Sequence, residues 1–433
     1  MTCNPKTSPK AELIRPRNAG ERGSLVIMVA MSMVVLLGFM GLAFDCSYFY
    51  LVKRRMQTAA DAGAIAGAQE LLRANSAAVT TAARNDTALN HFSNGVNGIN
   101  VTVNNPPASG PRAGNNGFVE VMIDQRKPTW FLGALGLGPA TIRARAVAGL
   151  SDTNGCVYAL NRDTSNTNNG FFANGTTNST FSCGVFSNGN FRTVGGGCVV
   201  APSLSYTGDY SNASSGSSDC APRTTSRGVP AADPLLGRYT LPSTSPCNFT
   251  NYKKTSGGIL TLVPGVYCGG IDIGGSIPNA TFTPGTYVLV GGGMKIGSGV
   301  SATGTAVTFF NSFPGSQTNK YGQIIINTSG NVTFTAPTSG VNKALLFWQD
   351  PRVTGASNNG STITAGANSA FQGILYFPTT DLTFAGNSYT TADTSSGYTY
   401  LVGYNIKIAG KSKINSDYSS IGGNPLQMAA FVE

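Results

Sequence analysis

Few side chains in this 433-residue sequence could carry chemistry, and they are unevenly spread. There is one histidine, His91, so neither a Ser-His-Asp triad nor a histidine metal site can be assembled in the distal two thirds of the chain. Carboxylates alone can cleave glycosides, which brings Asp272, Asp350, Asp381, Asp393 and Asp417 into consideration. None of them forms a recognisable pair, and isolated aspartates among Gly and Asn usually cap or close turns. The triplets Gly195-Gly196-Gly197 and Gly291-Gly292-Gly293 lack the Lys-Ser/Thr that a phosphate loop requires, and read as tight corners. No enzyme activity, cofactor or metal is expected.

The cysteines say more. Of eight, Cys3 and Cys46 precede or adjoin an apolar run, while Cys156, Cys183, Cys198, Cys220, Cys247 and Cys268 cluster in one distal region. An even count without CxxC spacing points to disulfides in an oxidising compartment rather than to zinc. Six cysteines allow fifteen pairings. Sequential pairing, starting with Cys156 to Cys183, is the simplest, and the spacing leaves the choice open.

The element that must position all of this is the stretch at 23–72. From Ser24 to Phe44 it carries no charge and no Pro, and at 1.5 Å per residue it spans roughly 30 Å, the hydrocarbon thickness of a bilayer. It is too long for a cleaved secretory signal, and Asp45-Cys46-Ser47-Tyr48-Phe49-Tyr50 supplies an aromatic interface instead. The expectation is a transmembrane helix over 23–52, preceded by a disordered cytoplasmic tail over 1–22. Net charge is +10, and residues 1–150 hold 15 basic and 8 acidic side chains. The excess flanks the apolar run, so lipid headgroups are the expected partner. Without an aromatic-interleaved basic patch further on, nucleic acid is not. The positive-inside rule and the distal cysteines both favour a cytoplasmic N-terminus and a periplasmic or extracellular remainder.

Residues 53–150 read as a small α/β module. Met56, Ala60, Ala64 and Ala68 recur every four residues, a narrow face suited either to close approach of a partner helix or to packing on its own module. Asp61 and Glu70 flank it. A polar helix over 77–92 is followed by alternating runs at 99–103, 118–123 and 141–147, which mark half-buried strands. The apolar segment 128–137 lies between the last two, able to rest on a bilayer or to plug the small sheet. A long helix with a three-stranded sheet on its outer half is a pilin-like arrangement.

Residues 151–433 are rich in Gly, Asn, Ser and Thr, in a chain with 55 Gly and 11% charged residues. That composition suits stacked strands with polar turns, so the fold class is mainly β. Pro264-Gly265-Val266-Tyr267 is echoed by Pro284-Gly285-Thr286-Tyr287, and strand-like runs continue to 428–432. Self-similarity near twenty residues predicts a right-handed β-solenoid, with a β-sandwich as the alternative. Residues 201–256 read as a Ser/Thr/Pro-rich excursion from that core, with 231–236 as a docking segment.

One part of the sequence carries a family resemblance. Glu21-Arg22-Gly23 and the apolar helix, then Gly41-Leu42-Ala43-Phe44-Asp45, Tyr50, Arg55-Met56-Gln57-Thr58-Ala59-Ala60-Asp61-Ala62 and Ala64-Ile65-Ala66-Gly67-Ala68, resemble the N-terminal segment of TadE/TadG-like proteins of the Tad (Flp) pilus-assembly system. The strand at 141–149 resembles the close of that family's membrane-proximal module. The resemblance covers about the first third of the chain and implies a single-pass bacterial inner-membrane protein that helps build or anchor a pilus, with pilus-assembly proteins as partners. Prepilin-like members carry Glu five residues after the cleavage Gly, where this chain has Met28. The implied role is therefore an anchored, TadG-like accessory protein rather than a cleaved subunit. Asp45 and Tyr50 at the outer interface, and Gln57, Ala60, Asp61 and Ala64 on the following helix, are the candidate helix-contact residues. Two other functions fit an anchored β-rich domain: an adhesin or module binding an outer-membrane or surface glycan, and a solenoid-type glycan-active enzyme.

Overall fold

A computed structural model describes residues 21–73, 75–134, 136–152, 155–175, 179–195, 199–212, 224–228, 230–354, 360–385, 397–410 and 412–432. Residues 1–20 of the expected tail, Cys3, Cys198, Cys220 and Asp393 lie outside them, while Glu21 and Arg22, expected in that tail, open the first helix. The fold is mainly β with an N-terminal apolar helix, and contacts divide the chain into two units, 1–150 with 429–433, and 151–428.

In the first unit, helix α1 runs Glu21–Leu72 without a proline. Its first half exposes Val29, Leu36, Phe39 and other apolar side chains all round, as a helix bathed in lipid does. It is long and apolar enough to cross a membrane. From Met56 onward one face is buried: Met56, Ala59, Ala60, Ala64 and Ala68 pack under a small sheet and helix α2 (Val79–Leu89). The sheet comprises β1 (Ile99–Asn104), β2 (Phe118–Lys127) and β3 (Ala140–Asp152), paired antiparallel in the order of the chain. Val119, Val121 and Ile123 alternate onto the helix side and complete the core. At Gly63 an added Cβ would lie 2.7 Å from Thr87 Cγ2 and 2.9 Å from the Ala83 carbonyl oxygen, so a side chain there would drive α2 away.

A fourth strand, Gln427–Phe431, adds beside β3, and the Val432 amide donates to the Val147 carbonyl at 3.0 Å. Alternation at 428–432 marks a strand but not its partner. The run expected to end the distal domain instead extends the N-terminal sheet.

In the second unit the named strand pairs are parallel, unlike the antiparallel pairing of a β-sandwich. One column proceeds from Phe249–Lys254 through Gly265–Ile273, Gly285–Val290, Val307–Ser312, Leu345–Gln349 and Ala370–Phe377 to Thr399–Gly403. The next neighbour is not a later strand but the unit's first, Gly155–Ala159, followed by Gly184–Ser187, Ser203–Tyr206 and Thr224–Arg227. The chain therefore enters in mid-column, proceeds to one end, crosses to the other, and returns to meet its own start.

The crossing segment lies along the column. Asn188 exchanges two hydrogen bonds with the Ala231 backbone (2.7 and 2.8 Å), Tyr376 Oη donates to Asp233 Oδ2 at 2.7 Å, and Tyr239 Oη donates to the Lys343 carbonyl at 3.0 Å. Leu235 is buried. The expected excursion over 201–256 is thus narrower than composition implies, because Ser203–Tyr206 and Thr224–Arg227 are strands of the column. Ser and Thr are as compatible with a strand as with a loop where a neighbouring strand satisfies the backbone.

Aromatic side chains fill the interior. Phe249, Tyr267, Tyr287, Phe309 and Phe347 follow one another at centroid spacings of 4.5, 6.1, 5.2 and 5.0 Å. The echoed Pro-Gly-x-Tyr explains itself locally, since Tyr267 and Tyr287 donate to the carbonyls of Val263 and Thr283, four residues back, at 2.7 and 2.8 Å. Gly265 pairs with Tyr287 and not with Gly285, so pairing runs two residues out of step with the echo. Gly291, Gly292 and Gly293 all take positive φ, and a Cβ on Gly292 would meet the Gly269 carbonyl oxygen of the next row at 2.1 Å. That triplet is a close-packed corner.

Candidate functional site

The best-defined constellation lies in the first unit, around the part of α1 that follows the uncharged run. Gly41 and Asp45 are one turn apart on the helix. Phe131 packs so closely over Gly41 that an added Cβ would come within 2.5 Å of its ring. Asp45 is fully buried and accepts hydrogen bonds from the Trp130 amide (3.2 Å) and the Leu132 amide (2.8 Å). These amides open the short helix α3 (Phe131–Ala134), where backbone N–H groups have no partner within the helix. The carboxylate thus holds the 130–134 turn against α1, and Phe44 meets Phe131 edge to face at 6.1 Å. Trp130, Phe131 and Leu137 remain more than half exposed. Of the two placements open to the 128–137 segment, it rests outward on α1 and does not plug the sheet.

Further along α1, Gln57 Nε2 donates to Asp61 Oδ1 (2.8 Å) and to the Arg145 carbonyl on β3 (2.9 Å). Arg145 Nε lies 2.6 Å from Glu120 Oε1, and the same carboxylate accepts from Asn104 Nδ2 (2.8 Å), the Ala108 amide (3.0 Å) and Ser109 Oγ (3.0 Å). Burial pushes the Glu120 carboxyl up, but the hydrogen bonds from Asn104, Ala108, Arg145 and Ser109 outweigh it and hold the group at about 2. Glu120 faces away from the helix, where a glutamate on a strand is ordinary. Only the 105–110 loop folding over it makes it buried, so no pattern in β2 marks it.

The candidate helix-contact residues therefore separate. Asp45 holds α3, Gln57 ties α1 to β3 while its amide also donates to Asp61 on the same helix, and Tyr50 is largely exposed. Ala60 and Ala64 are fully buried beneath the unit's own sheet and α2, so the small-residue face is used internally and is not free for a lateral partner. Small side chains permit close approach equally from inside or outside the module, which is why periodicity left the choice open.

In the second unit, Cys156 is bonded to Cys183 and Cys247 to Cys268, each with Cα atoms 5.7 Å apart. Both match the simplest sequential pairing, and the second ties the crossing segment to the strand Gly265–Ile273. Cys46 is free and exposed.

The described aspartates serve local structure. Asp272 pairs with Lys253 at 3.1 Å, and Asp417 accepts from the Ser419 amide at 3.0 Å. Asp350 is gripped at both oxygens by Arg352 and by Ser312. Its burial is outweighed by those bonds, which hold it below the usual carboxylate range. Asp381 is pushed up by burial despite the bond from Asn405. Among the described residues no cluster of three or more His, Cys, Asp or Glu could hold a metal.

No curated protein and no solved structure matches the chain. Residues 23–70 match the family model described as putative Flp pilus-assembly TadE/G-like. That span holds Gly41, Asp45, Gln57 and Gly63, at each of which α1 meets another element of its unit closely. Over this helix the chain carries a TadE/G-like domain.

Proposed function

We propose that this protein is a membrane-anchored accessory and structural component of Tad (Flp) pilus assembly, presenting a disulfide-bearing β-rich domain to the envelope or cell surface. The carrying observation is the coincidence of the TadE/G-like match, residues 23–70, with a helix long and apolar enough to cross a membrane. The disulfides support an oxidising compartment for the distal unit, hence a cytoplasmic N-terminus. In this reading the protein is not an enzyme, and its partners are the bilayer and inner-membrane pilus-assembly proteins.

The distal unit is a right-handed β-solenoid in the same reading. Parallel pairing along the column, the inward aromatic series and the stacked glycine corner support it. Among the described residues of this unit the large aromatics turn mostly inward, and Tyr210 is the most exposed of them. That favours a spacer or scaffold over a glycan-binding face, which would display an aromatic ladder.

The test is fractionation of the full-length protein from its native host. Membranes washed at alkaline pH should retain it, external protease added to spheroplasts should remove residues beyond 150, and in-cell crosslinking should capture Tad inner-membrane components. Release by the alkaline wash, protection of the distal unit, or a crosslink profile without Tad components would overturn the proposal.

A further inference from the structure

We infer that the first unit contains a binding site for the phosphate of an anionic phospholipid headgroup. A pocket of about 520 Å³ opens between α1, the start of β1 and the end of β2, with Tyr48, Arg55, His91, Gln125, Arg126 and Lys127 among its lining residues. Two arginines and a lysine line it together, and no carboxylate does. Among the described residues neither Arg55, Arg126 nor Lys127 has an acidic partner within 4 Å; the neighbouring Asp124 is engaged by Arg143 at 3.0 Å. Cations gathered without an internal counter-charge repel one another, and an external anion relieves that. Tyr48 and Gln125 add hydrogen-bonding groups suited to phosphate oxygens.

The position of the pocket selects the source of the anion. Tyr48, Leu51, Val52 and Arg55 form one stripe of α1. Tyr48 and Leu51 lie roughly 6 to 10 Å along the axis beyond Phe44, the last residue of the uncharged run. The headgroup layer occupies about 5 to 8 Å outside the hydrocarbon on each side. Side chains on a helix lean toward its N-terminus, so Arg55 reaches back toward that layer. The inference rests on α1 being a membrane span but not on which side its N-terminus lies.

The experiment uses the full-length protein in a neutral detergent, with short-chain phosphatidylglycerol, short-chain phosphatidylcholine and inorganic phosphate as probes at equal phosphate concentration. Binding is read from the shift in thermal midpoint of the first unit, followed by hydrogen exchange of β2. Phosphatidylglycerol should stabilise the protein, phosphatidylcholine should do so weakly, and each of the single variants Arg126→Gln and Lys127→Gln should weaken the apparent affinity about fivefold. Equal response to the two lipids, or full response in the triple variant that also carries Arg55→Gln, would overturn the site. Inorganic phosphate matching phosphatidylglycerol would overturn the lipid as its ligand. Loss of the variants' fold is checked by their unperturbed exchange without ligand, and the exposed Arg126→Gln single variant stands alone if the triple one misfolds. Retention of the triple variant in alkali-washed membranes separates failure of this site from failure of the anchor.

Discussion

Replacing Glu120 with Gln keeps the shape of a fully buried side chain and removes the charge that Arg145, Asn104, Ser109 and the Ala108 amide surround. The carboxyl is held at about 2 against an ordinary value of 4.5. At about 1.36 kcal/mol per pH unit that difference corresponds to roughly 3 kcal/mol. The Arg145 side chain is 31% exposed, so solvent screens part of the interaction, and about 2 kcal/mol is the expected loss. A group whose acidity is strengthened by folding contributes its full stability above the unfolded value, here 4.5, and loses it as pH falls toward the folded value. The two units need not unfold together, so a global melt would mix them. Amide exchange of β2 and β3 in the full-length protein, followed by mass spectrometry, reports the local opening. At pH 7 Glu120→Gln should exchange about 30-fold faster in β2 than the parent protein, and the ratio should contract steadily between pH 4.5 and pH 2. A ratio below threefold at pH 7, or one that does not change down to pH 3, would refute the electrostatic account of this cluster.

Four further outcomes follow from the contacts. Asp45→Ala should speed exchange at the Leu132 amide by roughly ten- to thirtyfold, the loss of a charge-assisted hydrogen bond, while leaving β2 protected; Gly41→Leu should do the same with Asp45 intact, because the new side chain collides with Phe131. In the distal unit, Tyr376→Phe should cost about 1 to 3 kcal/mol by leaving Asp233 with one bond fewer, and should raise protease cleavage within 230–247. Asp233→Asn should cost less at pH 7, since burial already pushes the Asp233 carboxyl up and makes its ionised form unfavourable as pH rises past the ordinary carboxylate value.

The pattern of the chain was enough for local elements and not for their partners. Runs at 99–103, 118–123 and 141–147 declare themselves by alternation, and the structure pairs all three in chain order. Strands consecutive in the chain usually lie side by side. The 428–432 run is equally legible as a strand, yet nothing local says that it will sit beside β3, more than two hundred residues upstream. The same holds for Gly155–Ala159, which finds Thr399–Gly403 as a neighbour, and for Glu120, whose burial depends on a loop closing over it.

What the sequence by itself determined was everything set by short-range chemistry: an uncharged run of membrane length, a TadE/G-like helix, strands with tight glycine corners, and cysteines suited to an oxidising compartment. What only the tertiary structure decided was which surfaces meet. The small-residue face turned inward, Asp45 acquired the α3 amides, Cys247 acquired Cys268, and the distal column closed on its own first strand. Periodicity constrains the backbone through neighbours a few residues away, whereas pairing and burial depend on segments brought together by the whole fold, whose contact energies no local window contains.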